Sequence, residues 1–253
     1  MKRILFFAAV LLALVGNTTT LSAQDIEQES ITLTQRNIQE IHSSLPTLIT
    51  VTDEDSDHIT ITIPNEAIPY VEFDIDHLSK VLSIKHSESY SSRKQLESIY
   101  NNKTPIEIRV PSSSITDIMN TSDMSITFEN SSVGKWFQVI NTGTMFIHGE
   151  ALNAKDKIEL YNTGTLTSKI KNYNTSILCL TNTGFLFTSG STTAKHIDQN
   201  STGIENTNLE VACEKITIAS TGSGVIRYHG TADDVEVTST DKAHIRTSEL
   251  NAE

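Results

Sequence analysis

A three-residue step, Asn or Ser followed by Thr and usually Gly, returns about every twenty residues from Asn120 to Thr240. Its threonines are Thr121, Thr142, Thr163, Thr183, Thr202, Thr221 and Thr240. A fixed period of this length is typical of stacked repeats, in which each repeat packs mainly against its neighbours. The sequence therefore predicts a repeat architecture for its C-terminal half.

Aligning the repeats on this threonine produces columns of similar residues. The two columns before it that are mostly apolar lie two residues apart, so they share one side of a strand and point inward. They are Thr116, Phe137, Ile158, Leu178, Ile197, Ile216 and Val235, then Ile118, Val139, Leu160, Leu180, Gln199, Ile218 and Val237. Apolar residues after the threonine are Met124, Met145, Leu166 and Leu186, then Ile126, Ile147 and Ile226. Each repeat is thus predicted to be a strand, a corner and a second strand.

A rung of about twenty residues with two or three strands fits an all-β parallel β-helix, or β-solenoid, in which each coil pairs with the next. Parallel coiling of this kind is expected to be right-handed. We expect the β-helix to span residues 112–253. A strand-rich N-terminal portion, residues 24–111, is expected to precede it.

The corner residues are predicted to be structural. Stacked Asn amides can hydrogen-bond along the stack and to the turn backbone. Gly permits a positive φ, which we expect at these corners. The predicted corner residues are Asn120, Asn141, Asn162, Asn182, Gly143, Gly164, Gly184, Gly203 and Gly222. The alternative is that the Asn ladder binds a ligand.

One outward column carries carboxylates on every second rung. Down the stack it is Asp117, Gln138, Glu159, Cys179, Asp198, Thr217 and Glu236. Like charges directly opposite each other on neighbouring strands are destabilising, so this spacing suits in-register stacking. We interpret the column as a solvated face and not as an active site.

The N-terminus is typical of a secretory signal peptide, which we assign to residues 1–23. Lys2 and Arg3 precede an apolar run at residues 4–15, and Ala23 ends a small-residue cleavage site. The run of about 12 residues is shorter than the roughly 20 needed to cross a bilayer. With the signal removed, no transmembrane segment is predicted, and we expect an exported protein in the periplasm or at the cell surface.

The portion between the signal and the repeats is expected to be rich in strands. Residues 25–40 are polar and expected to be loosely ordered. Short runs of alternating or β-branched residues then predict strands at 48–52, 58–63, 70–75, 81–85 and 106–110. Residues 92–101 are predicted to form a short helix or a loop.

Composition narrows the possible partners. The chain has 19 Lys and Arg against 31 Asp and Glu, which argues against nucleic acid and anionic membranes, because both need clustered basic charge. Cys179 and Cys213 fall in non-adjacent rungs, so we expect no disulfide. The histidines fall at different phases of the repeat, so no metal site is predicted. No cofactor is expected.

Three stretches of sequence carry a resemblance to a known family. Residues 221–230 read Thr-Gly-Ser-Gly-Val-Ile-Arg-Tyr-His-Gly and residues 232–237 read Ala-Asp-Asp-Val-Glu-Val. With the Ile-Glu-Ile-Arg-Val-Pro run at 106–111, they resemble the auto-transporter adhesin head GIN domain family of Bacteroidetes, a domain of unknown function. The resemblance covers most of the chain after the signal and implies an exported β-helix with no established catalytic residues. Several corners read Asn-Thr-Gly where the family usually has Gly-Ser-Gly.

The strand after the corner carries the candidate binding residues. Phe146, Phe185 and Phe187 are predicted to point outward. His148 and Lys169 are predicted to be neighbours on the same face. Exposed aromatic rings beside polar side chains would form a platform for a sugar or a protein partner. A covering loop or the N-terminal portion is the alternative environment for these rings.

These features favour a non-catalytic, exported binding or adhesion module that recognises a glycan or an envelope protein. The alternative is a carbohydrate-active enzyme, a polysaccharide lyase or a glycoside hydrolase, on the same scaffold. Such an enzyme needs paired or clustered carboxylates, which the columns do not supply. A purely structural envelope component is a third alternative. An exposed end of the stack would allow oligomers.

Overall fold

The computed structural model describes residues 30–36, 38–54, 56, 58–65, 67–87, 106–129, 131–240 and 243–251. The predicted signal peptide and the predicted helix or loop at residues 92–101 lie outside these residues. The described residues form an all-β chain with a short 3-10 turn at Ile68–Tyr70. They build a β-solenoid of stacked parallel coils of about 20 residues, about seven turns in all. The predicted fold is confirmed.

The described residues form twenty strands. They are β1 (Ser30–Arg36), β2 (Glu40–Ser43), β3 (Thr47–Thr52), β4 (His58–Pro64), β5 (Val71–Asp76), β6 (Val81–His86), β7 (Ile106–Pro111), β8 (Asp117–Asn120), β9 (Asp123–Phe128), β10 (Ser131–Ser132), β11 (Trp136–Asn141), β12 (Thr144–Asn153), β13 (Lys157–Asn162), β14 (Thr165–Asn174), β15 (Ile177–Asn182), β16 (Phe185–Thr193), β17 (His196–Ser201), β18 (Ile204–Ser220), β19 (Ser223–Ser239) and β20 (Ala243–Asn251).

From β8 onward, the coils pair on three faces. The first face holds the strand before the corner, as in β11, β13, β15 and β17. The second face holds the strand after the corner, as in β9, β12, β14 and β16. The last residues of β12, β14 and β16 bend away and pair on a short third face. The 17-residue strands β18 and β19 run from the second face through the third to the first face of the next coil.

The inward columns predicted from the repeat are confirmed. One first-face ladder pairs Phe137, Ile158, Leu178, Ile197 and Ile216 in register, and all five are fully buried. Burying an aliphatic or aromatic side chain of this size stabilises the fold by about 1.5–3 kcal/mol. Both inward columns end where the stack ends: on the last rung Val235 of this column is only partly buried, and Val237 of the second column is 45% exposed.

The N-terminal strands extend the same faces. On the first face β2 lies between β6 and β8, and on the second face β3 lies between β7 and β9. The rung formed by β2 and β3 is therefore inserted between two rungs that come later in the chain. Antiparallel strands cover this end of the stack, with β5 on β6, β4 on β7 and β1 on β4.

The five strands predicted in the N-terminal portion are confirmed as β3 to β7, within a residue or two at each end. The expectation of loose order at residues 25–40 is wrong for Ser30–Arg36, which forms β1, and for Glu40, the first residue of β2. Residues 31–34 read Ile-Thr-Leu-Thr, an alternation that is typical of a strand, and β1 pairs with β4 along its whole length.

The corner asparagines form a continuous buried ladder. The Nδ2 of Asn120 donates to Oδ1 of Asn141 at 2.8 Å, Asn141 donates to Asn162 at 2.8 Å, and Asn162 donates to Asn182 at 2.9 Å. The ladder continues from Asn182 to the hydroxyl of Ser201 at 3.4 Å. Each amide also donates to backbone carbonyls of its own corner and of the next rung, as Asn162 does to Gly164 and Phe185. The four asparagines are at most 1% exposed.

The corner glycines have a different role from the one expected. A positive φ was predicted for them, and this is wrong: none of the five has one. A Cβ on Gly164 would instead lie 2.1 Å from the carbonyl oxygen of Gly143, and the other four corner glycines are as close to the neighbouring rung. Glycine is needed here because successive corners stack backbone against backbone.

We predict that Asn162→Ala lowers the free energy of unfolding by about 3 kcal/mol, because it removes the hydrogen bonds that the Asn162 amide donates to the carbonyls of Gly164 and Phe185 and to the buried amide oxygen of Asn182. The neighbouring corner residue Thr163 is exposed, so Thr163→Ala should change stability by less than about 0.5 kcal/mol. Urea unfolding followed by circular dichroism measures both. Equal losses in the two variants would contradict a structural role for the ladder.

Candidate functional site

The candidate binding residues lie together on the outer side of the second face. Phe146, Phe185 and Phe187 are 37%, 56% and 39% exposed. Neither a loop nor the N-terminal portion, as far as the structure describes them, covers these rings. The rings are held in place by the sheet, because their inward neighbours Met145 and Leu186 are buried.

Parallel pairing sets the arrangement of these residues. Phe146 pairs with Thr167, which pairs with Phe187, so two rings lie on either side of a threonine in one column. In the adjacent column Thr165 pairs with Phe185. Aromatic rings therefore alternate with hydroxyl groups across three neighbouring strands.

His148 and Lys169 are register partners, as predicted, and both contact Phe146. The His148 ring lies 5.1 Å from the Phe146 ring, centroid to centroid, at an angle of 33°. The Lys169 ammonium lies 5.8 Å from the same centroid, within the range of a cation–π interaction. The Nε2 of His148 lies 3.0 Å from the hydroxyl of Thr127. His148, Lys169 and Phe146 form one contact group at the edge of the aromatic surface.

Ile204 completes this surface and was missed by the sequence reasoning. It is the register partner of Phe185 and is 48% exposed. Ile204 stands two residues after Thr202, as Phe185 does after Thr183, so the column alignment contained the signal. We call the group of Phe146, Phe185, Phe187 and Ile204 the aromatic patch.

The first face carries a second group of aromatic residues, around Glu159. This carboxylate was predicted to be on a solvated face, and that is wrong, because its side chain is only 8% exposed. Trp136 Nε1 donates to it at 2.8 Å and Tyr161 Oη at 3.2 Å, and Lys157 lies 2.6 Å away. Burial works against ionisation, but these partners hold the pKa of Glu159 below its ordinary value. Trp136, Tyr161 and Lys157 therefore shield the Glu159 carboxylate from solvent on the first face.

An acidic pair that the sequence columns did not contain lies further along the first face. Glu40 of β2 is the register partner of Asp117 of β8, and His42 lies 3.3 Å from the Glu40 carboxylate. Burial raises the pKa of Asp117, and the neighbouring Glu40 adds to the rise. The pair was missed because β2 carries no Thr-Gly corner, so Glu40 could not be aligned with the repeats.

A polar cluster lies inside the solenoid, behind the second face. Glu205 is 2% exposed and occupies the column of Leu186. It accepts a hydrogen bond from Thr207 at 2.7 Å and another from Gln199, and Gln199 in turn accepts one from Tyr228. Burial raises the pKa of Glu205, and the hydrogen bonds only partly offset this. The cluster is enclosed by the coil, so we regard it as part of the core.

Two further observations concern chemistry that the chain could carry. Cys179 and Cys213 are free and half-buried, and burial raises the pKa of both thiols, that of Cys213 to about 11. Within the described residues, no three His, Cys, Asp or Glu side chains are grouped so that they could hold a metal ion.

Of the part of the chain that is described, no helix has the length and apolar character of a membrane span.

We predict that Glu205→Gln stabilises the protein at about pH 8 and has little effect at about pH 4. The folded-state pKa of Glu205 lies above its pKa in the unfolded chain, so folding favours the neutral carboxyl. The contribution of this carboxyl to stability is fully present at pH values below the unfolded-state pKa, and it is lost as the pH rises through the folded-state pKa. Gln keeps the neutral form at every pH. Thermal unfolding across this pH range measures the difference between variant and wild type.

The matched control is Glu214→Gln, which removes a charge from an exposed side chain two residues after the third-face segment of β18. Its difference from wild type should not follow the same pH dependence. A Glu205→Gln variant that is less stable than wild type at both pH values would contradict the assignment of Glu205 as a destabilising buried charge.

Comparisons with known proteins give the family. A search of curated protein sequences finds no match to this chain. Among solved structures, a "putative adhesin" from Bacteroides fragilis has a TM-score of 0.59 and 14% identity, covering 87% of this chain and 97% of its own. A "putative adhesin" from Parabacteroides distasonis has a TM-score of 0.47 and 16% identity, covering 87% and 98%.

At that identity, the similarity to the B. fragilis protein shows that the two chains share a fold. The family described as "Putative auto-transporter adhesin, head GIN domain" matches residues 37–253, from the start of the inserted rung to the last strand. The match covers most of the chain and agrees with the resemblance seen in the Thr-Gly-Ser-Gly and Ile-Glu-Ile-Arg-Val-Pro segments. The chain therefore belongs to the head GIN domain family.

Proposed function

We propose that this chain is a non-catalytic binding module of the cell envelope and that the aromatic patch on its second face binds a glycan. The observation that carries the proposal is the exposure of three phenylalanine rings on one flat face, at 37–56%. Exposed apolar groups of this kind, rimmed by polar side chains, mark interaction sites on soluble proteins.

The composition of the patch favours a sugar as the ligand. A sugar ring has an apolar C–H side that stacks on an aromatic ring and hydroxyl groups around its edge. Thr167 separates Phe146 from Phe187, and Thr165 lies beside Phe185. The patch thus offers rings and hydrogen-bonding hydroxyls in turn, which a continuous apolar protein interface would not require.

The setting of the module is inferred from the family and the sequence. The family is described as an adhesin head domain, and residues 1–23 are typical of a secretory signal. An adhesion role would place the second face towards a glycan outside the cytoplasm, in the periplasm or at the cell surface.

The alternative function is that of a carbohydrate-active enzyme, and the Glu40–Asp117 pair favours it. The backbones of residues in register on neighbouring strands are about 4.8 Å apart, so the side chains of Glu40 and Asp117 can bring their carboxyl groups to the separation of about 5 Å that retaining glycosidases use. A raised pKa on one carboxyl is also what a general acid needs. Turnover of a bound glycan that disappears in Glu40→Gln and Asp117→Asn would support this alternative.

We predict that the double variant Phe185→Ser, Phe187→Ser reduces glycan affinity at least about tenfold, because stacked aromatic contacts supply much of the binding energy. A glycan array, followed by calorimetry on the glycans that bind, measures the change. The exposed side chains are not part of the core, so the melting temperature should remain close to that of wild type.

The matched control is Leu78→Ser, which removes a side chain that is 96% exposed in the turn between β5 and β6, away from the second face. It should leave glycan binding intact. Undiminished binding by the Phe185→Ser, Phe187→Ser variant would rule out the aromatic patch as the site.

A further inference from the structure

We infer that the ligand of the second face is an acidic polysaccharide, bound along a stripe of basic side chains that runs beside the aromatic patch. This inference rests on the proposed function and names the chemical class of the glycan. The stripe is the part of one outward column from His148 to Arg246, and its cations are Lys169, Arg227 and Arg246.

The stripe follows one outward column of the second face. In register from rung to rung it is Thr127, His148, Lys169, Ser189, Asn208, Arg227 and Arg246. It contains no carboxylate. From His148 to Arg246 there are five steps of about 4.8 Å, so the stripe is about 24 Å long. It passes next to Phe146 and Phe187, which lie two residues before His148 and Ser189 on the same strands.

The cations of the stripe have no acidic partners in the described part of the chain. Elsewhere Lys157, Lys171 and Lys215 each contact a carboxylate at 2.5–3.1 Å. Lys169 lies over the Phe146 ring, and among the described residues no ion pair joins Lys169, Arg227 or Arg246 to a carboxylate. In a chain with 31 acidic and 19 basic residues, cations kept free of acids are available for an external anion.

Arg227 and Arg246 add a more specific signal. They are register partners on neighbouring strands, and like charges in that position repel each other. The Nε of Arg227 is buried and has no hydrogen-bond partner among the described residues. An anion between the two guanidinium groups would remove the repulsion and accept their hydrogen bonds, as carboxylates and sulfates do.

The geometry favours a polysaccharide over the other polyanions. Successive rungs place a side chain about every 4.8 Å along a straight line, which suits an extended chain of sugar units that each carry an acidic group. The aromatic rings lie beside this line and can stack on the same sugars. The overall negative charge disfavours a broad anionic surface such as a membrane, whereas a single narrow chain meets only the stripe.

The test compares acidic polysaccharides with neutral forms of the same chains. The probes are polygalacturonate, alginate and hyaluronan, each paired with its methyl-esterified form and measured by calorimetry at low and high salt. Wild type should bind at least one acidic form at least about tenfold more tightly than its ester, and salt should weaken this binding. The variant Lys169→Gln, Arg227→Gln, Arg246→Gln should lose that preference.

The control variant is Lys135→Gln, Lys155→Gln, Lys195→Gln, which removes three exposed lysines from the corner between the third and first faces. It changes the net charge equally and should bind like wild type. If both triple variants lose affinity alike, only net charge matters and the stripe is overturned. Poly-glutamate or vesicles containing phosphatidylglycerol that bind as tightly as the sugars would also overturn the inference.

Different outcomes of this test contradict the proposed glycan binding and the inferred preference for acidic glycans. Esters that bind as well as the acids, with no loss in the Lys169→Gln, Arg227→Gln, Arg246→Gln variant, would leave the glycan site in place and overturn its acidic specificity. Absence of binding to both forms of every polysaccharide would overturn this inference, and absence of any glycan on the array would overturn the proposed function itself. Unchanged melting temperatures confirm that each variant is folded.

Discussion

The in-register parallel ladder is the interaction on which the rest of the structure depends. Each backbone bonds to the rung above and the rung below, so the side chains of a column repeat at the ladder spacing. Two features of the corners support this spacing. The amide hydrogen bonds from Asn120 to Asn182 hold neighbouring rungs together, and the corner glycines lack the Cβ that would clash with the backbone of the next rung. A rung that slipped by one residue would turn its apolar column outward, so ladder and core specify the same register.

This dependence explains how much could be predicted from the sequence. The repeated threonine set the register of every rung from β11 onward, and the ladder that joins Phe137 to Ile216 follows it without a slip. The outward positions of Phe146, Phe185 and Phe187 followed from the same columns. The β2–β3 rung could not be placed, because it lacks the corner motif and is inserted between rungs that are made later. The acidic pair of Glu40 and Asp117 was missed for that reason.

Other features depend on contacts that cross columns, which a column alignment does not represent. Glu159 is buried because Trp136 reaches diagonally from the neighbouring strand, and sequence spacing does not reveal that contact. The role of the corner glycines was mistaken because one turn was considered alone, whereas the constraint comes from the turn stacked on it. Glu205 lies in an apolar column, and only the proximity of Gln199 and Thr207 shows how the solenoid accommodates it.

The same ladder also decides what kind of binding surface this protein can present. A side chain on the second face is fixed by strands on both sides, so the surface is ordered before a ligand arrives and loses little entropy on binding. The same order limits which ligands can bind, because the rungs cannot move apart to match a ligand whose repeat length differs from the rung spacing. Recognition must then depend on which side chains occupy each column. The carboxylates of Asp117, Asp198 and Glu236 lie on the first face, while Lys169, Arg227 and Arg246 share one column of the second. Lys169, Arg227 and Arg246 thus share a column without a carboxylate, which gives a linear, acidic ligand a line of contacts free of like charge.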